Sequence, residues 1–227
     1  MIASRDSDRR VVEGPFEGQF GTWFVDQDDA VEVLTYRLSL VGAALATVTG
    51  VGMAVLPNFV QAQPPSTAAL DAMAVLFLAS FGVSLKTIHI YMKPMHNMLK
   101  ALWAGGALGS LAVFVAGPNH SLVKDCFEHS EFLLASGWAF VALTGLFFKE
   151  FACFQRWEAS ALFAGLPILT GGHFLHLLSE DVEKGLAVMF ATVFVFFAAR
   201  KFDQPLKADI GDKSIFEYLA LQEKIGQ

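Results

Sequence analysis

The chain has 227 residues, 54% of them hydrophobic, with a mean hydropathy of +0.49. Soluble domains run nearer about 45–50% apolar on a broader count, so the composition points to a membrane protein. The formal charge of −6 excludes the basic surface of a nucleic-acid binder.

Residues 1–10 are polar. They lack the apolar core of a secretory signal and are too acidic for an organelle transit peptide. The rest of the N-terminal tail, to residue 34, carries Phe16, Phe20, Trp23 and Phe24, spaced by Gly14, Gly18 and Gly21. Such aromatics are poorly placed in free solvent, so they are expected to dock on the membrane interface or on a partner.

Six apolar runs follow, at 35–56, 68–91, 95–116, 131–148, 159–178 and 182–200. Each is long enough to cross ~30 Å of hydrocarbon at about 1.5 Å per residue. Backbone groups in hydrocarbon must satisfy one another, so these runs should be helices. The expected fold class is all-α: a polytopic membrane helical bundle (35–200) between two extramembrane tails (1–34 and 201–227). Fourteen of the sixteen basic residues fall on one side of the six runs, and only Lys124 and Lys184 on the other. The positive-inside rule puts the basic side, with both termini, in the cytosol or a plastid stroma. The opposite side is acidic, and Cys126 lies there while Cys153 lies on the basic side. The two cannot form a disulfide.

Small residues recur every fourth position in the first run (Gly42, Ala46, Gly50, Ala54) and the third (Ala101, Gly105, Gly109). Such ladders allow close helix packing, within the bundle or against another subunit. The sixth run holds Phe190, Phe194, Phe196 and Phe197, expected as lipid-facing bulk or as contacts to a pigment or quinone.

Ionisable side chains within a bilayer need a partner or a purpose. Lys86, inside the basic end of the second run, is expected to pair with Glu150 or to snorkel to the headgroups. His89 and His96 flank the turn at Pro94; His89 is a candidate pigment ligand and His96 is expected to face water. The fifth run contains Gly171, Gly172, His173 and His176. Two histidines three apart share a helical face, and the glycines leave a wall without side chains. A flat macrocycle such as chlorophyll would use that combination. The alternatives are interfacial histidines bonded to water, or a metal site recruiting His120, His129, Glu128 or Glu180. In the C-terminal tail, Ser214 and Glu217 form a capping-box pattern. Ile215, Phe216, Leu219 and Ile225 give the following short helix an apolar side. Phe216 and Tyr218 join the docking aromatics.

Three strings carry a family likeness: GVSLKTIHIY at 82–91, the segment from Phe148, Lys149 and Glu150 to Cys153 and Phe154, and DIGDKSIFEYL at 209–219. Together they resemble a family of integral membrane proteins of cyanobacteria and plastids, over most of the chain from about Phe16. The resemblance implies a thylakoid or related photosynthetic membrane, but no reaction. The Glu-x-x-His-x-Arg chlorophyll motif of three-helix light-harvesting proteins is absent. The expected function is a non-enzymatic accessory or structural subunit of a photosynthetic complex (photosystem or antenna). Membrane lipids and other membrane subunits are its partners, and chlorophyll, carotenoid and lipid its candidate cofactors. The competing readings are a small transporter or channel, and a membrane enzyme with a metal site on the acidic face.

Overall fold

The computed structural model describes residues 10–60 and 63–225. Residues 1–9, with the basic Arg5 and Arg9, and the side chain of Ile225 lie outside the described set.

The tail that precedes the bundle is not helical. Val11–Glu17 (β1) and Thr22–Asp26 (β2) form an antiparallel hairpin. Gly14 and Gly21 adopt φ of +128° and +145°, a region that glycine occupies without a Cβ penalty. The first helix, α1 (Gln27–Val60), then begins eight residues before the expected start at Thr35. Asp26 and Asp29 explain the early start. The Asp29 N–H donates to the Asp26 carboxylate and the Asp26 N–H to the Asp29 carboxylate, both at 2.9 Å, a reciprocal cap. Pro57, expected to end the helix, lies inside it.

The other long helices follow the apolar runs with shifted ends. They are α2 (Thr67–Thr87) and α3 (Lys93–Ala116), then, after a short α4 (Leu122–Glu128), α5 (Leu133–Ser136), α6 (Trp138–Phe154), α7 (Trp157–Phe174) and α8 (Glu180–Arg200). Two small helices close the chain, α9 (Leu206–Ile210) and α10 (Lys213–Ile225). Among the described residues, α1, α2, α3 and α8 are long and apolar enough to cross a membrane. The segment read as a fourth run is broken. Residues Ser130–Ser136 meet α6 at 64° around Gly137, and the pair counts as one further candidate span. The shorter α7, which carries Pro167 within it, is not among these candidates.

Packing answers two of the sequence questions. A Cβ on Gly42 would meet the Ser80 side chain of α2 and one on Gly50 would meet Met73, so the α1 ladder is used within the chain. The α3 ladder divides: a Cβ on Gly109 would press on Ala135, whereas one on Gly105 would meet nothing; outside the ladder, Gly106 presses on Ala139. The α8 phenylalanines correct the lipid-facing expectation. Phe190, Phe194 and Phe197 are buried and stand edge-on to Phe147 of α6 at 6.2, 5.3 and 5.6 Å between ring centroids. Of the four, only Phe196 is exposed. Edge-to-face pairs add about 0.5–1.5 kcal/mol each beyond buried area.

Candidate functional site

The two ends of the bundle carry different chemistry. At one end the tails form a cap over a buried ion cluster. Glu150 of α6 is 2% exposed, and its carboxylate accepts from Tyr36 Oη (2.8 Å), Lys149 Nζ (3.0 Å) and Lys201 Nζ (2.9 Å). Lys201 has no exposed surface and also pairs with Asp209, which takes Arg37 Nε at 2.8 Å. The Lys201 ammonium sits 4.6 Å from the Phe154 ring centroid, and the Arg37 guanidinium donates to the Gln204 carbonyl at 2.9 Å. One cluster thus ties α1, α6, the end of α8 and α9 together. A second buried carboxylate, Glu158 of α7, receives Arg200 at 3.1 Å.

The expected Lys86–Glu150 pair is not formed. Lys86 is exposed, and Glu150 is satisfied by Lys149 and Lys201. Lys201 follows the last apolar run, and nothing in linear spacing brings it back under Asp209. The turn at Lys201–Asp203 does that.

The aromatics expected to meet a partner meet each other. Phe16 packs on Trp23 at 5.0 Å between centroids, and Phe20 stacks on Tyr218 at 3.9 Å and 2°. Phe216 lies 4.6 Å from Tyr91 and 6.4 Å from His89. Of this set only Phe20, Phe24 and Tyr218 keep substantial exposure. The family string at 209–219 makes the clasp. Lys213 reaches Asp26 at 3.1 Å and Asp29 at 2.8 Å. Asp212 accepts from the Gln19 N–H at 2.7 Å, and Ser214 Oγ from the Phe20 N–H at 3.0 Å. Asp212, not Ser214, caps α10, accepting the Ser214 N–H at 3.0 Å.

His89 lies on the extended stretch after α2, with Nε2 3.3 Å from Glu32. Burial pushes its imidazole below the ordinary 6.5, although Glu32 and Asp29 pull the other way. His96 does not face water: its Nε2 lies 2.6 Å from the Leu85 carbonyl.

The opposite end holds His173. Its Nδ1 is 3.1 Å from Glu183 of α8, its Nε2 is 3.3 Å from the Cys126 carbonyl, and its ring stacks on Phe127 at 5.4 Å. Both ring nitrogens are engaged by acceptors. His176 does not share its face. The helix stops at Phe174, and His176 sits in a left-handed turn (φ +54°) with Nε2 3.2 Å from Ser130 Oγ. Gly172 is not a bare wall, because Leu178 covers it. A Cβ on Gly171 would meet nothing, so that glycine stays open while His173 and His176 lie on different faces.

His129 pairs with Glu131 at 3.8 Å rather than joining His173. Among the described residues no group of three His, Cys, Asp or Glu side chains is arranged to hold a metal. Nearby, Asp125 is buried. That burial alone would raise its carboxyl, but hydrogen bonds from Asn119 and Ser121 outweigh it and hold the group below its ordinary 3.8. Burial pushes the Cys126 thiol up.

Beneath His173 a cavity of about 610 Å³ opens between the helices. A second hollow of about 290 Å³ lies beside it at the Gly137 bend. Sequence reading missed both, since a cavity arises from where helices fail to touch.

No curated protein and no solved structure matches the chain. Residues 83–218, which run from α2 through the clasp on α10, match the family described as uncharacterized integral membrane protein (DUF2301). A match over more than half of the chain settles membership, and the protein belongs to that family of integral membrane proteins.

Proposed function

We propose that the chain crosses the membrane six times and serves as a non-enzymatic accessory or structural subunit of a photosynthetic thylakoid membrane complex. The two docked tails support the even number. The hairpin and α10 clasp each other at one end of the bundle, and an odd number of crossings would separate them. The short α7 is then the sixth span. The tails face the cytosol or stroma, the side with fourteen of the sixteen basic residues.

One observation carries the scaffold reading. Residues 38–57, 72–85, 101–116, 138–148, 159–172 and 185–199 contain no Asp, Glu, Lys, Arg or His. Conduits for protons or ions mark their path with such groups, and acid–base catalysis requires them. Here they are gathered at the two ends and tied into pairs. The photosynthetic setting rests on the likeness of the strings at 82–91 and 209–219 to cyanobacterial and plastid membrane proteins. Lipid or carotenoid suits the His173 end better than chlorophyll, whose central metal would need a released ring nitrogen.

Gentle purification from a photosynthetic membrane tests this. Co-migration with pigmented complex subunits, and growth defects confined to light-dependent conditions on deletion, are the expected results. A colourless protein that migrates alone would overturn the assignment. Topology is tested separately with an impermeant maleimide, which should label the exposed Cys153 from the cytosolic or stromal side only.

A further inference from the structure

We propose that the cavity beneath His173 binds a lipid-like amphiphile drawn from the bilayer: one long hydrocarbon chain carrying a small uncharged, hydrogen-bonding head. The size, at about 610 Å³, lies within the ~300–1,000 Å³ range of ligand sites. The walls are Val55 of α1, Leu70 and Phe77 of α2, Phe140 of α6, Leu169 of α7 and Ala187 of α8. Three of the four hydroxyls that reach the lining are already spent, and the fourth, Thr67, lies at the exposed start of α2. Ser110 donates to the Gly106 carbonyl at 2.8 Å, Ser136 to Phe132 at 3.2 Å and Thr170 to Leu166 at 2.9 Å. Nothing inside asks for a polar partner, so hydrocarbon fills the space without desolvation cost.

Depth supports a chain from one leaflet. On α2 the lining runs from Thr67 to Leu78. Eleven residues at about 1.5 Å each give roughly 16 Å, half of a ~30 Å hydrocarbon core. The route is lateral. The second hollow, at the lipid-facing Leu134 and Trp138, shares Leu133, Phe140 and Thr170 with the cavity. The 64° bend that splits α5 from α6 lies at the second hollow, which Gly137 lines.

The rim defines the head. His173 faces Glu183 and the Cys126 carbonyl, Lys184 pairs with Glu180 at 2.5 Å, and Lys124 with Glu128 at 3.8 Å. Both rim lysines already have a carboxylate partner, and the Glu183 carboxylate already has the His173 ring. A charged head would have to compete with these partners for the rim groups, whereas a hydroxyl or carbonyl adds a hydrogen bond and displaces none of them.

The test uses the full chain in phosphatidylcholine vesicles with a diazirine-bearing fatty alcohol, and its carboxylate and ammonium counterparts as charged arms. The alcohol should label residues 67–78 and 133–140, be competed by excess hexadecanol, and outdo both charged probes. Ala74→Phe with Ala187→Phe fills the cavity and should cut labelling about fivefold or more. Gly185→Phe, where an added side chain meets open space, should leave it unchanged. Labelling concentrated instead at outward positions such as Leu108 and Val115, or untouched by the filling pair, would overturn the site. Should the filled variant not fold, the wild-type labelling map decides alone. Mass spectrometry of what hexadecanol displaces from the purified protein names the source. An acyl lipid and an isoprenoid each support the site, and detergent alone counts against it.

Discussion

Replacing Lys201 with Met tests the ion cluster that joins the tails to the bundle. Lys201 has no exposed surface and bridges Glu150 at 2.9 Å to Asp209. Its loss leaves Glu150 with Lys149 and Tyr36, and Asp209 with Arg37, while both carboxylates stay buried with one donor fewer. Breaking a buried pair by removing one partner costs about 3–5 kcal/mol. For a chain of this size 1 kcal/mol shifts Tm by about 2–4 °C, so the variant should melt roughly 6–20 °C lower. Lys86→Ala is the control: Lys86 is exposed and touches neither carboxylate, and its Tm should stay within about 2 °C, as for ordinary surface changes. The assay is thermal unfolding of detergent-solubilised protein, followed by tryptophan fluorescence. The double variant Lys201→Met with Glu150→Met should lose less than the sum of the two single variants, because both remove the same pair, although Lys149 and Tyr36 then lose their acceptor. A Lys201→Met protein that melts with the wild type, or a Lys86→Ala protein that falls as far, would refute the assignment of Glu150 to Lys201.

Gly106→Ala should destabilise by about 1–3 kcal/mol in the same assay, because its Cβ would press on the Ala139 backbone. Gly105→Ala, one residue away and open, should be neutral or gain up to about 1 kcal/mol of helix propensity. Gly18→Ala would push a methyl group into Asp212 and Ser214 and release the clasp. Limited proteolysis should then cut the C-terminal tail several-fold faster, at a cost of about 1–3 kcal/mol.

The clasp also has a pH window. The Ser214 hydroxyl holds the Asp212 carboxyl below its ordinary 3.8, so this contribution is complete above 3.8 and fades as pH falls through the lower folded value. Burial would lower the Lys213 ammonium, but Asp29 and Asp26 outweigh it and raise the group above 10.5. That contribution is complete below 10.5 and fades as pH rises through the higher folded value. Tail protection should therefore be flat from about pH 7 to 9. Below 6.5 the lowered imidazole of His89, beside Phe216, begins to weaken it. The carboxylate and ammonium contributions fade only in strong acid or base. A step within the flat window would contradict these pairings.

The apolar runs, the asymmetry of basic residues and the family strings were all readable in the sequence, because solvent sorts residues by local composition. That reading placed α2, α3, α7 and α8 to within a few residues at each end, but missed both ends of α6, because the chain bends at Gly137 before that helix starts. It missed the start of α1, where the reciprocal Asp26–Asp29 cap outweighs hydropathy, and the hairpin before it, whose short strands carry no clean alternation. Partner choice was decided by tertiary structure alone. Lys86 is the cross-helix mate expected for Glu150, yet besides the adjacent Lys149 it is the turn at Lys201–Asp203 that delivers a lysine, from the far end of the chain. His173 and His176 are three apart, but the helix ends between them. Phe190, Phe194 and Phe197 of α8 point inward because Phe147 is there to receive them. The cavity has no residue signature at all: it is the volume left when seven helices and a bend cannot all touch, and only their three-dimensional placement could reveal it.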